Sequence, residues 1–295
     1  MRAMGIAPFV FGDYTRFIPF YIYSILSNYP DYGIKIFTQG TLDRNEERCL
    51  QLLEQRFPGS FEIRTNYMRK LVLPPGDPQT RTKIKKALRW LIPYKELKGF
   101  QNVYIGDVDF LIVKESPAML EAHLHHCKTT GLPFSNAIRP GTRRLSGLHF
   151  FRVDEYFQKM TPVIDYYMEN LNEVGDIVTR GKGNEEFLYH MIERGIGFKG
   201  IDKLRYRPHH GFHLGNVINR QIKAGYLGYG QPASSKPGKP SLDRIKPQLK
   251  AYYEDPLFLD MLELIPDEQL ISLGGILFGD KAGKRLRKLI AGLDG

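Results

Sequence analysis

Short apolar runs of strand length, each followed by a stretch of helical periodicity, constrain the fold of this chain more than any other feature. Residues 7–11 (APFVF) read as a buried strand ended by Gly12-Asp13, and residues 14–28 then carry apolar side chains at helical spacing. GIKIFTQG reads as a second strand. Residues 42–57 form an amphipathic pattern stopped by Pro58-Gly59, and FEIRTN follows as a third strand. Strands alternating with helices predict an α/β fold of the Rossmann-like kind, a mixed, mostly parallel sheet flanked by helices.

Further along, residues 74–82 are rich in Pro, Gly and Asp and read as a loop before a basic helix ended by Pro93. The run NVYIGDVDFLIV (residues 102–113) starts as an apolar strand, breaks at Gly106 and resumes as FLIV. A helix is expected from Pro117 through Cys127, then the segment LPFSNAIRPG, a strand over residues 146–153, and helices over 156–173 and 185–194. Beyond Gly215 the alternation fades. QPASSKPGKP (residues 231–240) has the composition of a linker, and a short helical region and a basic helix over residues 281–293 follow. The expected division is therefore a large α/β domain over residues 1–230 and a linker with a basic helical C-terminal extension over 231–295.

Composition narrows the function classes. Cys49 and Cys127 are the only cysteines, too few for a disulfide framework and outside any C-x-x-C pair, so a reducing cytoplasm is the simplest compartment. The first residues lack the charged, apolar and small-residue succession of a signal peptide, and no apolar run reaches the length of a membrane span. A formal net charge of +10 calls for an anionic partner: nucleic acid, anionic lipid or a phosphorylated substrate.

The acidic turn Gly106-Asp107-Val108-Asp109 speaks for the last of these. Two carboxylates one residue apart, at the end of an apolar strand, can converge on one hard cation, and open α/β sheets bind ligands beyond the carboxyl ends of their strands. Left unpaired inside an apolar run, they would be costly. Mn2+ or Mg2+ held by Asp107 and Asp109 would bridge diphosphate oxygens and neutralise charge on a departing nucleotide.

On these residues the chain resembles the glycosyltransferases of the fold called A, especially the family-eight type that includes lipopolysaccharide galactosyltransferases and glycogenin. Those enzymes place a basic helix carrying an Arg before a Y-x-D-x-D strand; Arg89, within KALRWLIP, and Tyr104-Ile105-Gly106-Asp107-Val108-Asp109 are similar. Gly106 stands where a carboxylate or similar residue is often found. The resemblance runs over residues 7–220 and implies a nucleotide-sugar-binding catalytic domain, a hexose-type donor carried on UDP, and a glycan or glycolipid acceptor.

Residue by residue, the resemblance puts Phe11, Asp13 and Tyr14 at the nucleobase, where Asp13 would accept from uracil and Tyr14 would stack on it. Helix capping and core packing are the ordinary alternatives for those two. Ser146 and Gly147 match the N-S-G strand near the donor sugar, with Leu145 in place of the Asn. Arg89 and the backbone at Val108 would also face the donor. Asn184, Glu185 and Glu186 match a G-D-Q-x-x-L helix start at the reacting sugar, although first-turn acids also suit a helix dipole. Glu185 where retaining enzymes have Gln is suited to be the base of an inverting transfer. The match as a whole favours retention. The third metal ligand is expected from RPHHGFHLG, with His213 first and His210 second, and with Gly215 closing the motif. Absence of the family's K-P-W ending leaves Arg220 or Lys223 to contact phosphate.

Two other readings stand beside this one. A nucleic-acid-binding protein would use the basic charge and the 17 tyrosines, but no binding signature is visible and the acidic turn would repel phosphate. A non-catalytic sugar-binding relative would keep the fold and lose turnover. The basic tail, with Lys281, Lys284, Arg285 and Lys288 among leucines, suits either a helix lying on anionic lipid at the cytoplasmic membrane face or a helix packed through its leucines. Nothing in the sequence indicates an oligomeric state.

Overall fold

The structure, a computed structural model, describes residues 1–181, 183–201, 211–218, 242–279, 286, 288 and 289. In chain order the elements are β1 (Arg2–Ile6), β2 (Phe9–Val10), α1 (Ile18–Asn28), β3 (Gly33–Thr38), α2 (Arg44–Arg56), β4 (Phe61–Arg64), α3 (Pro78–Ala87), α4 (Tyr94–Leu97), β5 (Phe100–Ile105) and β6 (Phe110–Leu111). There follow α5 (Met119–Thr130), β7 (Phe134–Ser135), β8 (His149–Arg152), α6 (Val153–Glu169), α7 (Leu171–Arg180), α8 (Asn184–Gly195), β9 (Phe212–His213) and α9 (Gly215–Ile218). The helices α10 (Leu242–Glu254), α11 (Pro256–Leu264) and α12 (Glu268–Phe278) come last.

The 7-stranded main sheet is mostly parallel. Strands β1, β3, β4 and β5 all run the same way, β1 lying between β3 and β5, and β8 joins β5 antiparallel before β7 closes the edge. Strand β2 continues the line of β1 along β3. The first strand thus begins at Arg2, earlier than APFVF predicts, and Ala7-Pro8 interrupts it, since proline cannot donate to a ladder. The helix expected over residues 14–28 is likewise split. Gly12–Phe17 forms a 3-10 turn and α1 starts only at Ile18, with Pro19 in its first turn. In α2, Asp43 accepts from the N–H groups of Asn45 and Glu46 while Glu46 reaches back to Asp43 N–H, a reciprocal cap of about 1 kcal/mol.

Period-two alternation along the strands feeds two cores, one on each face of the sheet. Met4, Ile6, Tyr104 and Phe150 pack with α1 on one side, while Val103, Ile105 and Phe151 pack with Leu88, Phe157 and Leu188 on the other. Ile245, Leu249, Phe258, Met261 and Leu273 of α10, α11 and α12 belong to the α1 core, so these helices are built into the body of the protein. Leu286 is buried over Gly274, whereas the rest of the basic tail, apart from Lys288 and Leu289, and the expected linker lie outside the described residues. No described helix is long and apolar enough to cross a membrane.

Candidate functional site

Beyond the carboxyl end of β5 the chain turns through Gly106-Asp107-Val108-Asp109 into β6. Val108 is buried in the core between the two acids, so only its backbone can face a ligand. Gly106 has a packing reason: a Cβ there would lie 2.7 Å from the Tyr104 ring, which leaves no room for the carboxylate often found in the resembling enzymes.

The two acids find different partners. Asp107 accepts through Oδ1 from Arg89 Nη1 at 2.5 Å, and Arg89 is itself buried, its guanidinium 4.4 Å from the Trp90 ring centroid. Asp109 is buried as well, and its Oδ2 lies 3.0 Å from His213 Nε2. A small ladder creates that second contact: β6 and β9 pair antiparallel with Phe110 opposite His213, and Leu214 N–H donates to Asp109 C=O at 2.9 Å. Thus residues a hundred positions apart in the chain meet at one atom pair.

Gly147 forms the opposite wall. A Cβ at this position would stand 2.9 Å from Arg89 Nη2, 3.5 Å from Asp107 Oδ2 and 3.6 Å from Glu185 Oε1, so glycine lets three charged side chains approach one point of backbone. Ser146, just before it, is buried and held on both sides by Asn136, which accepts from Ser146 N–H at 3.0 Å and donates to its C=O at 3.1 Å. Leu145 is fully buried and offers no polar group there.

Glu185 lies in the first turn of α8. Arg139 donates to its Oε1, Arg144 to its Oε2, and Gly147 N–H to Oε1 at 3.2 Å. The two arginines face each other across a tight hairpin closed by Arg139 N–H to Arg144 C=O at 2.8 Å, with Gly141 at positive φ. Trp90 Nε1 donates to Asn184 C=O at 3.0 Å and so ties the start of α8 to the turn that carries Arg89. Glu186 lies against Gly181.

Asp13 and Tyr14 are exposed in the 3-10 turn after β2. Asp13 provides no side-chain cap, and Tyr14 sits edge-on to Phe17. Partial burial raises the pKa of the Tyr14 phenol, and the charges of Asp109 and Asp107 raise it further. Phe11 is half-buried under Lys85 of α3, 6.0 Å from the ring centroid. Gly215 opens α9 two residues after His213. His210 and Arg220, with His209 and Lys223, lie outside the described residues.

Sequence reasoning singled out neither Asn136 nor the pair Arg139 and Arg144. The run IRPGTRR, a proline-glycine turn bracketed by arginines, was the available signal. Among the described residues, no three of His, Cys, Asp and Glu form a preassembled metal cluster. Burial pushes both cysteine thiols up to about 12, so neither offers a ready thiolate.

No family model matches the chain, and neither does any curated protein. Glycosyltransferases recur among the similar solved structures. GlyE of Streptococcus pneumoniae TIGR4 is 9% identical with a TM-score of 0.43, the match covering 66% of this chain and 44% of GlyE. The galactosyltransferase LgtC, in complex with donor and acceptor sugar analogs, is 12% identical with a TM-score of 0.39 over 67% of this chain and 72% of its own. The bifunctional WbbM is 10% identical with a TM-score of 0.40, over 68% and 38% respectively. This chain therefore spans less than half the length of GlyE and WbbM, and at such scores the likeness assigns no role to any residue.

Proposed function

We propose that this protein is a glycosyltransferase that binds a UDP-sugar and a divalent cation at the acidic turn and transfers a hexose-type sugar to a glycan or glycolipid. The contact between Asp109 and His213 carries the reading. Oδ2 and Nε2, 3.0 Å apart, would both hold the ion. A carboxylate and an imidazole suit Mn2+, and hard divalent ions commonly complete their shell with substrate phosphate and water. Asp107 would join them through Oδ2, its Oδ1 being held by Arg89.

When bound, such an ion supplies Lewis-acid stabilisation of the departing diphosphate. Arg89, buried and fixed by Asp107 and Trp90, adds a permanent positive charge on the same side. Tyr14 offers an exposed aromatic face for the base, and the backbone at Ser146 and Gly147 offers a wall against the sugar. Glu185 commits both oxygens to Arg139, Arg144 and Gly147 N–H, which suits an anchor for the sugar pocket better than a base, and so favours a retaining transfer.

Thermal-shift screening of UDP, GDP and CDP with Mn2+, with Mg2+ and with EDTA tests the reading, since a ligand selective for the native state raises the melting temperature. UDP is expected to stabilise only in the presence of metal. Stabilisation by UDP that is unchanged in EDTA would reject the cation site.

A further inference from the structure

Tyr21 is 1% exposed, and its hydroxyl is buried without a hydrogen-bond partner among the described residues. A buried polar group left unmatched is costly, so its position calls for a reason. The register of α1 supplies one. Ile112 N–H donates to Ser24 Oγ at 3.0 Å, Lys114 N–H to Asn28 Oδ1 at 3.2 Å, and Glu115 N–H to the Tyr29 hydroxyl at 3.2 Å. Helix α1 and the segment after the acidic turn therefore run in the same direction, side by side.

Tyr21 lies three residues before Ser24 on the same helix face, about 4.5 Å nearer the helix start. In an extended strand rising about 3.3 Å per residue, that offset leads from Ile112 back to Phe110 or Leu111. Side chains lean toward the N-terminus of their helix, which carries the phenol on toward Asp109. Electrostatics agree with this placement. Burial raises the Tyr21 phenol most, and Asp107 and Asp109 are the charges that raise it further. The neighbouring Tyr23 behaves otherwise, its hydroxyl donating to Asp255 at 2.7 Å.

We propose that Tyr21 is a positioning residue for the cation site, its hydroxyl donating to a water in the coordination shell of the ion held by Asp109 and His213. The inference rests on the cation-site reading above. The hydroxyl is the part of the site that α1 contributes, and it gains its partner only when the ion is bound. Groups that orient ligands from outside the coordination sphere typically change metal affinity by about 10–100-fold.

The test compares the full-length wild type with Tyr21→Phe, Tyr23→Phe and Asp109→Ala. MnCl2 binding is followed by the electron paramagnetic resonance of free Mn2+, with and without UDP, and melting is measured in EDTA. Tyr21→Phe is expected to bind Mn2+ about 10-fold more weakly while melting in EDTA at or above the wild-type temperature, since removing an unmatched hydroxyl relieves a cost. Tyr23→Phe should show the reverse, a lower melting temperature with unchanged Mn2+ affinity. Wild-type Mn2+ affinity in Tyr21→Phe, or a fall in its melting temperature like that of Tyr23→Phe, overturns the Tyr21 assignment alone. Equal Mn2+ binding by wild type and Asp109→Ala overturns the cation site and Tyr21 with it.

Discussion

Asp109 and Glu185 are both largely shielded carboxylates, yet their surroundings differ in kind. Asp109 faces an imidazole nitrogen, a partner that can itself become a metal ligand. Glu185 faces two guanidinium groups and a backbone N–H, partners that can only donate. On the proposed function, the first arrangement would admit an ion between its members. The second can only hold its geometry. On the proposed function, the first would be the binding wall of the site and the second its rigid one.

The largest effect that separates the two walls is expected from Asp109→Ala. Loss of several kcal/mol of charge stabilisation corresponds to at least a 100-fold or so drop in transfer rate, with little change in the melting temperature measured in EDTA. Loss of the metal-dependent UDP shift should accompany it. A variant that retains both the shift and turnover would remove Asp109 from the binding wall.

Glu185→Ala should do the converse. It strands Arg139 and Arg144 and is expected to lower stability by about 2 kcal/mol, short of the 3–5 of a fully buried pair because solvent screens the partly exposed arginines; the Arg139 side chain is 34% exposed. Urea denaturation reads that loss, and the UDP shift with Mn2+ should persist. Glu185→Gln sharpens the contrast, because it keeps the shape and removes the charge. It should lose part of the stability and keep measurable transfer, whereas intact stability with transfer abolished would make Glu185 a base and the reaction inverting.

A third effect, read from pH and not from a ligand, concerns the support behind Gly147. His149 is fully buried beside Asn136, and burial lowers its pKa from 6.5 to about 3. An unfolded chain would take up that proton at higher pH than the folded one, so the contribution to stability is complete above about pH 6.5 and is lost as pH falls toward 3. Melting temperatures measured from pH 7 down to 4 should decline accordingly, and His149→Phe should flatten the decline. A curve equally steep in the variant would assign the acid sensitivity to other groups.

How much of this was legible beforehand differs by element. The strands at residues 33–38, 61–64 and 100–105 were readable because apolar side chains buried between helices must recur where a strand passes through a core. The 3-10 turn at residues 12–17 was not, because helical spacing looks alike in both kinds of turn until the tertiary contacts choose. Within the site, Asp107, Asp109 and His213 stood out as chemically unusual groups in short motifs. Their partners did not. That Arg89 would take Asp107 and leave Asp109 to His213 depends on how the turn after α3 and β9 dock, and the Arg139–Glu185–Arg144 clamp depends on a hairpin meeting a helix more than forty residues away.

What the sequence determined by itself was the order of the elements, the sheet's parallel character and the chemical types available to a cleft, since these follow from local periodicity and composition. Only the tertiary structure decided which charges pair, which carboxylate is anchored, and that the Tyr21 hydroxyl is buried without a partner among the described residues. Pairing across a cleft depends on distances of a few ångströms between segments far apart in the chain, and no local pattern encodes those distances.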